Sequence, residues 1–258
     1  MTLAHEVTGD GPAVVLLHSG VCDRRMWDPQ WSALADAGYR VVRCDFRGFG
    51  GTPLTGRRHN DAEDVLDLLD ALGIDRAALI ASSYGGRVAV EIAARRPERV
   101  TAVALLCAGL PGQEPTDELR AFGAREDALL EDGDVAGAVE LNVNTWLGPD
   151  AGEAVREQVR EMQRHAFEVQ LAAPEGAGRI EVEFDLSAIE APCLAVSGGR
   201  DLPDFRQPAA GLPDVLTDAR HVELPWAGHL PSLERPAEVT DLLAGFLRAT
   251  IPAVRQAS

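Results

Sequence analysis

The segment Ala77-Ala78-Leu79-Ile80-Ala81-Ser82-Ser83-Tyr84-Gly85-Gly86 decides how the rest of the chain is read. Ala77 to Ala81 are apolar on every face, which predicts a strand covered on both sides. Tyr84 to Arg95 carry a helical period that stops before Pro97. Between them, Ala81-Ser82-Ser83-Tyr84-Gly85 fits the Gly-x-Ser-x-Gly turn, with alanine in its first position. The spacing has a steric cause. A serine on so sharp a turn is strained, and the residues two before and two after it must be small, because strand and helix backbones close on each other there. Ala81 and Gly85 meet that need around Ser83. Around Ser82 the same positions fall on Ile80 and Tyr84, which are too large, so Ser83 is the candidate nucleophile. The turn also lifts its hydroxyl to a helix N-terminus, where free N–H groups and the helix dipole favour negative charge. A serine there can equally be a plain helix cap, so its partners decide.

A hydroxyl is a weak nucleophile until a base takes its proton. Where such a turn serves catalysis, the order along the chain is serine, acid, histidine. Of six histidines, His229 lies in Trp226-Ala227-Gly228-His229-Leu230-Pro231, a loop after a late strand. Open α/β sheets gather their sites in such loops. His221 falls within that strand and reads as structural. The strand Cys193–Ser197 leads into Gly198-Gly199-Arg200-Asp201, which puts Asp201 where it can fix the imidazole tautomer and stabilise the imidazolium. Asp204 reads as the cap of the next helix, after Pro203. An oxyanion needs two N–H donors. One is Tyr84, the residue after the nucleophile. The other is expected from His18-Ser19-Gly20-Val21, after the strand Ala13–Leu17, which resembles the His-Gly-x stretch that supplies such a donor in related folds. Gly20 is assigned that role, with Val21 as the alternative donor and as a substrate contact. His18 precedes Ser83 in the chain and reads as an organiser of this loop. Asp45-Phe46-Arg47-Gly48-Phe49-Gly50 reads as a structural turn in which Asp45 and Arg47 satisfy backbone groups.

With 46% hydrophobic and 25% charged residues over 258 positions, the chain has the make-up of a folded, water-soluble protein. No apolar run approaches the ~18–20 residues that span a bilayer. Met1 to Asp10 lack the basic-then-apolar pattern of a secretory signal, so the cytoplasm is the expected compartment. A net charge of −17 without a basic cluster argues against nucleic acids and anionic membranes as partners. All 24 basic residues are arginine. Without lysine there is no Schiff base, pyridoxal attachment or phosphate-loop lysine. Cys22, Cys44, Cys107 and Cys193 are too widely spaced for a Cys-x-x-Cys site and read as buried free thiols. Nothing in the pattern calls for a metal ion or a cofactor.

Leu3–Thr8, the Gly9-Asp10-Gly11 turn and Ala13–Leu17 predict a β-hairpin. Alternation follows: a helix from about Trp27 to Ala37, the strand Arg40–Cys44, a helix over Asp61–Leu72, the elbow, and the strand Val100–Cys107. From Pro111 to Val182 only helical periodicity is read, in three or four segments. This block holds 16 acidic residues and 6 arginines, a net of −10. Alternation resumes with Cys193–Ser197, Asp204–Gly211, His221–Leu224 and Pro236–Leu247. The expected fold is α/β: a mostly parallel, doubly wound sheet from residues 1–110 and 183–258, with a helical cap inserted at 111–182. In the cap, Trp146 is the candidate substrate contact, with Phe122, Met162 and Phe167 near it, although such residues also build a cap's own core. The acidity of the cap predicts a neutral or weakly polar substrate.

Taken together, Leu16-Leu17-His18-Ser19-Gly20, the Asp45–Gly50 turn, Ser82-Ser83-Tyr84-Gly85-Gly86, Gly198-Gly199-Arg200-Asp201 and Ala227-Gly228-His229 resemble the α/β-hydrolase superfamily. They stand in the expected order over most of the chain and leave only the cap unmatched. Size and inserted helices are similar to the branch holding enol-lactonases, small esterases, cofactor-free haloperoxidase-like enzymes and carbon–carbon bond hydrolases. The resemblance implies a serine hydrolase that cleaves a small carboxylic ester or lactone through Ser83, His229 and Asp201 by way of an acyl-enzyme. It implies no cofactor, a small-molecule substrate, and a monomer or homodimer. Two departures stand out. Ala81 replaces the first elbow glycine, and Ser19 replaces the glycine that usually follows His18, which bears on the donor at Gly20. Haloalkane dehalogenases and soluble epoxide hydrolases carry aspartate at the elbow, and Ser83 argues against both. The alternatives are carbon–carbon hydrolysis by the same residues and a non-catalytic ligand-binding protein.

Overall fold

The computed structural model describes residues 2–251; Met1 and 252–258, read above as part of the core, lie outside the described residues. The first half runs β1 (His5–Thr8), β2 (Ala13–Leu17), α1 (Asp28–Asp36), β3 (Arg40–Cys44), β4 (Arg58–His59), α2 (Asp61–Ala71), β5 (Ala77–Ser82), α3 (Tyr84–Arg95) and β6 (Val100–Leu106). Then come α4 (Asp117–Glu131), α5 (Val135–Trp146), α6 (Glu153–Leu171) and the short β7 (Gly178–Arg179). The chain closes with β8 (Cys193–Gly198), α7 (Pro203–Val215), β9 (Ala219–Leu224), α8 (Pro231–Glu234) and α9 (Pro236–Thr250).

The main sheet has the order β1-β3-β2-β5-β6-β8-β9. Only β1 runs antiparallel. The predicted hairpin does not form: β1 pairs with β3, His5 opposite Cys44, and not with β2. The reason is that both edges of β2 are taken, by β3 and by β5 in parallel register. Gly9 (φ +70°) and Gly11 (φ +120°) swing the chain across the start of β3, where a Cβ on Gly9 would overlap the Tyr39 carbonyl.

Strands that read as apolar on both faces are covered on both. Val15 and Leu17 of β2 pack with Val65, Leu69 and Ala89 of α2 and α3. Val14 and Leu16 point the other way, to Leu34, Leu243 and Leu247 of α1 and α9. Each such side chain, fully buried, contributes roughly 1.5–3 kcal/mol. All four cysteines are buried free thiols.

The helices α4–α6 are inserted between β6 and β8. The expectation of helix alone up to Val182 fails after Leu171. Pro174 has no N–H to continue the ladder, and Gly176 turns at φ +86°. The chain then forms β7, which pairs in parallel with β4. Asp204 is not the predicted helix cap either; Leu202 holds the N-cap position of α7. The Asp204 carboxylate instead accepts from the Thr116 N–H (2.7 Å) and hydroxyl (2.6 Å), pinning the start of α4 to α7. Among the described residues no helix is long and apolar enough to cross a membrane.

Candidate active site

β5 ends at Ser82 and α3 begins at Tyr84, so Ser83 alone makes the turn. Its φ is +50°, a left-handed value that only Cys107 shares among the described non-glycine residues. For such a residue this costs ~1–3 kcal/mol and persists only where the surroundings enforce it. They do here: Gly86 packs so closely that a Cβ on it would run into Ala108. Ser82 turns inward, its hydroxyl buried with no partner among the described residues. Ser83 faces a cavity of about 260 Å³.

The loops after β8 and β9 bring the other two residues to it. Ser83 Oγ lies 2.7 Å from His229 Nε2, and His229 Nδ1 lies 2.7 Å from Asp201 Oδ2. The second Asp201 oxygen accepts from the Leu202 N–H at 2.7 Å. With Nδ1 donating to the carboxylate, Nε2 is left to accept the serine proton. The imidazole and carboxylate are only 2% and 1% exposed. Their charge-assisted bond is therefore little weakened by water. Glycine is required where the two loops meet, since a Cβ on Gly198 would overlap the Gly228 carbonyl. The inserted helices complete the setting: the His229 N–H donates to the Trp146 carbonyl at 2.8 Å, and the Trp146 ring lies 4.7 Å from the imidazole.

Gly20, Val21, Tyr84 and Trp146 all line the cavity. The Val21 N–H faces the Ser19 hydroxyl at 3.5 Å, whereas those of Gly20 and Tyr84 meet no protein acceptor among the described residues. This favours Gly20 over Val21 as the second donor. His18 secures the loop: Nε2 accepts from the Phe46 N–H at 3.0 Å, and Nδ1 donates to the Ser19 carbonyl at 2.8 Å. Burial pushes its pKa down against the pull of Asp45, which keeps the ring neutral, as both bonds require. Asp45 accepts from the Arg24 and Gly51 amides (2.8 and 2.7 Å) as expected of the turn. Arg47 does not bind backbone there; it pairs with Asp64.

Phe122 and Phe167 also face the cavity, while Met162 is buried in the helical core. Sequence reasoning missed Phe205, Glu126, Gln163 and Arg179, which share the wall. It also missed Asn142, whose amide donates to Glu126 and whose oxygen accepts from the Trp146 indole at 2.8 Å. Asn142 had a readable signal, being polar on the face of α5 that buries Ala138, Val139 and Val143.

Two groups of side chains have metal-like spacing among the described residues. In Cys107, Asp201 and His229, the last two are bonded to each other, and burial holds the thiol well above its ordinary pKa, so it offers no thiolate. In His59, Asp61 and Asp64, the carboxylates already face Arg179 and Arg47.

A family model described as the α/β hydrolase fold matches residues 12–157. The RutD protein of Variovorax paradoxus, named for carbamate hydrolysis, is 33% identical over 98% of this chain and 99% of its own length. The 3-oxoadipate enol-lactonase 1 of Acinetobacter baylyi is 26% identical, covering 96% of this chain and 94% of that one. Among solved structures, the enol-lactonase of Burkholderia xenovorans superposes with a TM-score of 0.77 at 27% identity, over 95% of this chain and 96% of that one.

Proposed function

Because the chain belongs to the α/β-hydrolase fold family, we propose that it cleaves a small carboxylic ester or lactone by two-step acyl transfer. Ser83 Oγ attacks the carbonyl carbon as His229 Nε2 takes its proton. Asp201 holds the imidazole in the required tautomer and balances its charge. The Tyr84 and Gly20 N–H groups receive the oxyanion, each such donor being worth ~2.7–4 kcal/mol in the transition state. Collapse expels the alcohol, which takes the proton from His229; in a lactone the ring opens instead. Water then enters, gives a proton to His229 and attacks the acyl carbon. The acid leaves and Ser83 regains its hydrogen. On this reading the substrate is a small molecule met in the cytoplasm by a monomer or homodimer.

The observation that carries the proposal is the pair of 2.7 Å bonds joining Ser83, His229 and Asp201, with Ser83 and His229 lining a cavity. The test is hydrolysis of a panel of aryl and alkyl esters and lactones by the wild type and by Ser83→Ala. The variant should lose about 10,000-fold or more in kcat. Full activity in Ser83→Ala would refute the mechanism.

A further inference from the structure

The wall of the catalytic cavity carries one arginine among the described residues, Arg179 of β7. Three constraints fix it. Its backbone is paired with β4, opposite His59, and its carbonyl accepts from Arg58 Nη2 at 2.9 Å. Its Nε donates to Asp61 Oδ2 at 3.2 Å. Its guanidinium carbon lies 4.3 Å from the centroid of the Tyr84 ring, next in sequence to the nucleophile. Neither terminal nitrogen bonds to protein among the described residues. A guanidinium held at Nε and across one face keeps its outer edge for a planar acceptor with two oxygens.

Asp61 orients this cation and does not use it up. Its Oδ2 also accepts the Tyr84 hydroxyl, and His59 Nε2 lies 3.4 Å from its Oδ1. Burial would raise its carboxyl, but the approach of His59, the bond from the Tyr84 hydroxyl and the charge of Arg179 hold it below the ordinary range. Glu126 also lines the cavity, half-buried and bonded to Asn142, and burial raises its carboxyl.

Two neighbouring cavities carry further arginines. A second cavity shares Arg179 and Gln170 with the catalytic one and adds Arg47. A third shares Arg47 and is lined by Arg57 and Arg58. Arg47 is paired with Asp64, and Glu181, in the second cavity, with Arg87. Arginines thus gather in the walls beside the catalytic cavity in a chain of net charge −17.

We infer that Arg179 anchors a carboxylate, and that the ester or lactone taken by this site carries a carboxylate group near the bond that is cut. The inference rests on the proposed esterase reading and names its substrate class. It reverses the neutral substrate expected from the acidity of the inserted helices, because the charge that lines the wall decides, not the charge of the outer surface.

The test compares kcat/KM within matched pairs for wild type, Arg179→Met and Arg179→Lys. Monomethyl glutarate against methyl pentanoate puts the carboxylate on the acyl side. 4-Acetoxybenzoate against its methyl ester puts it on the leaving group. Both members of a pair meet the same enzyme, so general damage cancels in their ratio. The wild type should favour the anion in at least one pair, and increasingly so at low salt. Arg179→Met should lower that ratio about tenfold or more, and Arg179→Lys should restore part of it. A ratio unmoved by both variants, or a neutral preference in both pairs, overturns the inference. If no ester is cleaved and a fluorophosphonate leaves Ser83 unlabelled, the esterase reading fails instead. Glutarate binding then judges Arg179 separately: a rise in Tm for wild type but not for Arg179→Met supports the anchor, and no rise in wild type removes it.

Discussion

A Cβ placed on Gly85 would stand 2.5 Å from the carbonyl oxygen of Leu17. The elbow after β5 and the end of β2 are thus pressed backbone to backbone, and the Gly85 N–H donates to the His18 carbonyl at 3.1 Å across the seam. On either side of that seam stand the Tyr84 and Gly20 amides. Gly85→Ala should force it open, costing about 1–3 kcal/mol of stability. Because the proposed donors move with the backbone, kcat should fall about tenfold or more. Urea unfolding and steady-state kinetics read the two effects. An alanine variant with native stability and rate would mean that the close approach has no consequence.

Asp201→Asn keeps the shape of the side chain and reverses its role toward His229. The amide can present an N–H to Nδ1, which turns the imidazole into the tautomer that cannot accept from Ser83. The expected loss in kcat is about 10,000-fold, with the circular dichroism spectrum unchanged. A loss below about tenfold would show that the carboxylate does not set the tautomer.

Trp146 joins the inserted helices to His229. Its backbone carbonyl holds the His229 N–H, and its ring packs on His229 (4.7 Å), Phe122 (4.8 Å) and Phe205 (5.7 Å). Trp146→Ala should cost about 3–5 kcal/mol and also lower kcat/KM. Trp146→Phe should keep most of the rate, although it leaves the Asn142 oxygen without its indole donor. Thermal melts with kinetics on the same preparations separate packing from positioning.

His18 gives stability a predictable pH dependence. Burial lowers its pKa in the folded state from an ordinary 6.5, so the unfolded chain takes the proton first. Its contribution is whole above pH 6.5 and declines as the pH falls below it. The slope from this one group is at most about 1.4 kcal/mol per pH unit. Burial lowers His221 in the same direction. Urea titrations should therefore show stability level above neutrality and falling on acidification. His18→Gln should have a shallower fall, and stability that rises on acidification would contradict the assignment.

Sterics made the elbow legible. Only one of two adjacent serines had small residues at both required distances, and the chain order then singled out Asp201 and His229 as candidates, whose side chains the fold brings to Ser83. The partner of β1 was not legible, because an edge strand pairs with whichever edge is left free, and β2 has none. β7 was invisible for another reason: two paired residues carry no period. Arg179 and Phe205 acquire their roles only when separate segments fold against the same cavity, and nothing local sets Arg179 apart from the other arginines.

Labelling of the folded protein with a fluorophosphonate, followed by intact mass and peptide mapping, probes directly whether His229 activates Ser83. One adduct is expected, on Ser83, with its rate of formation sharply reduced in His229→Ala. No adduct on Ser83, or equal labelling rates with and without the imidazole, would contradict the role assigned to this pair.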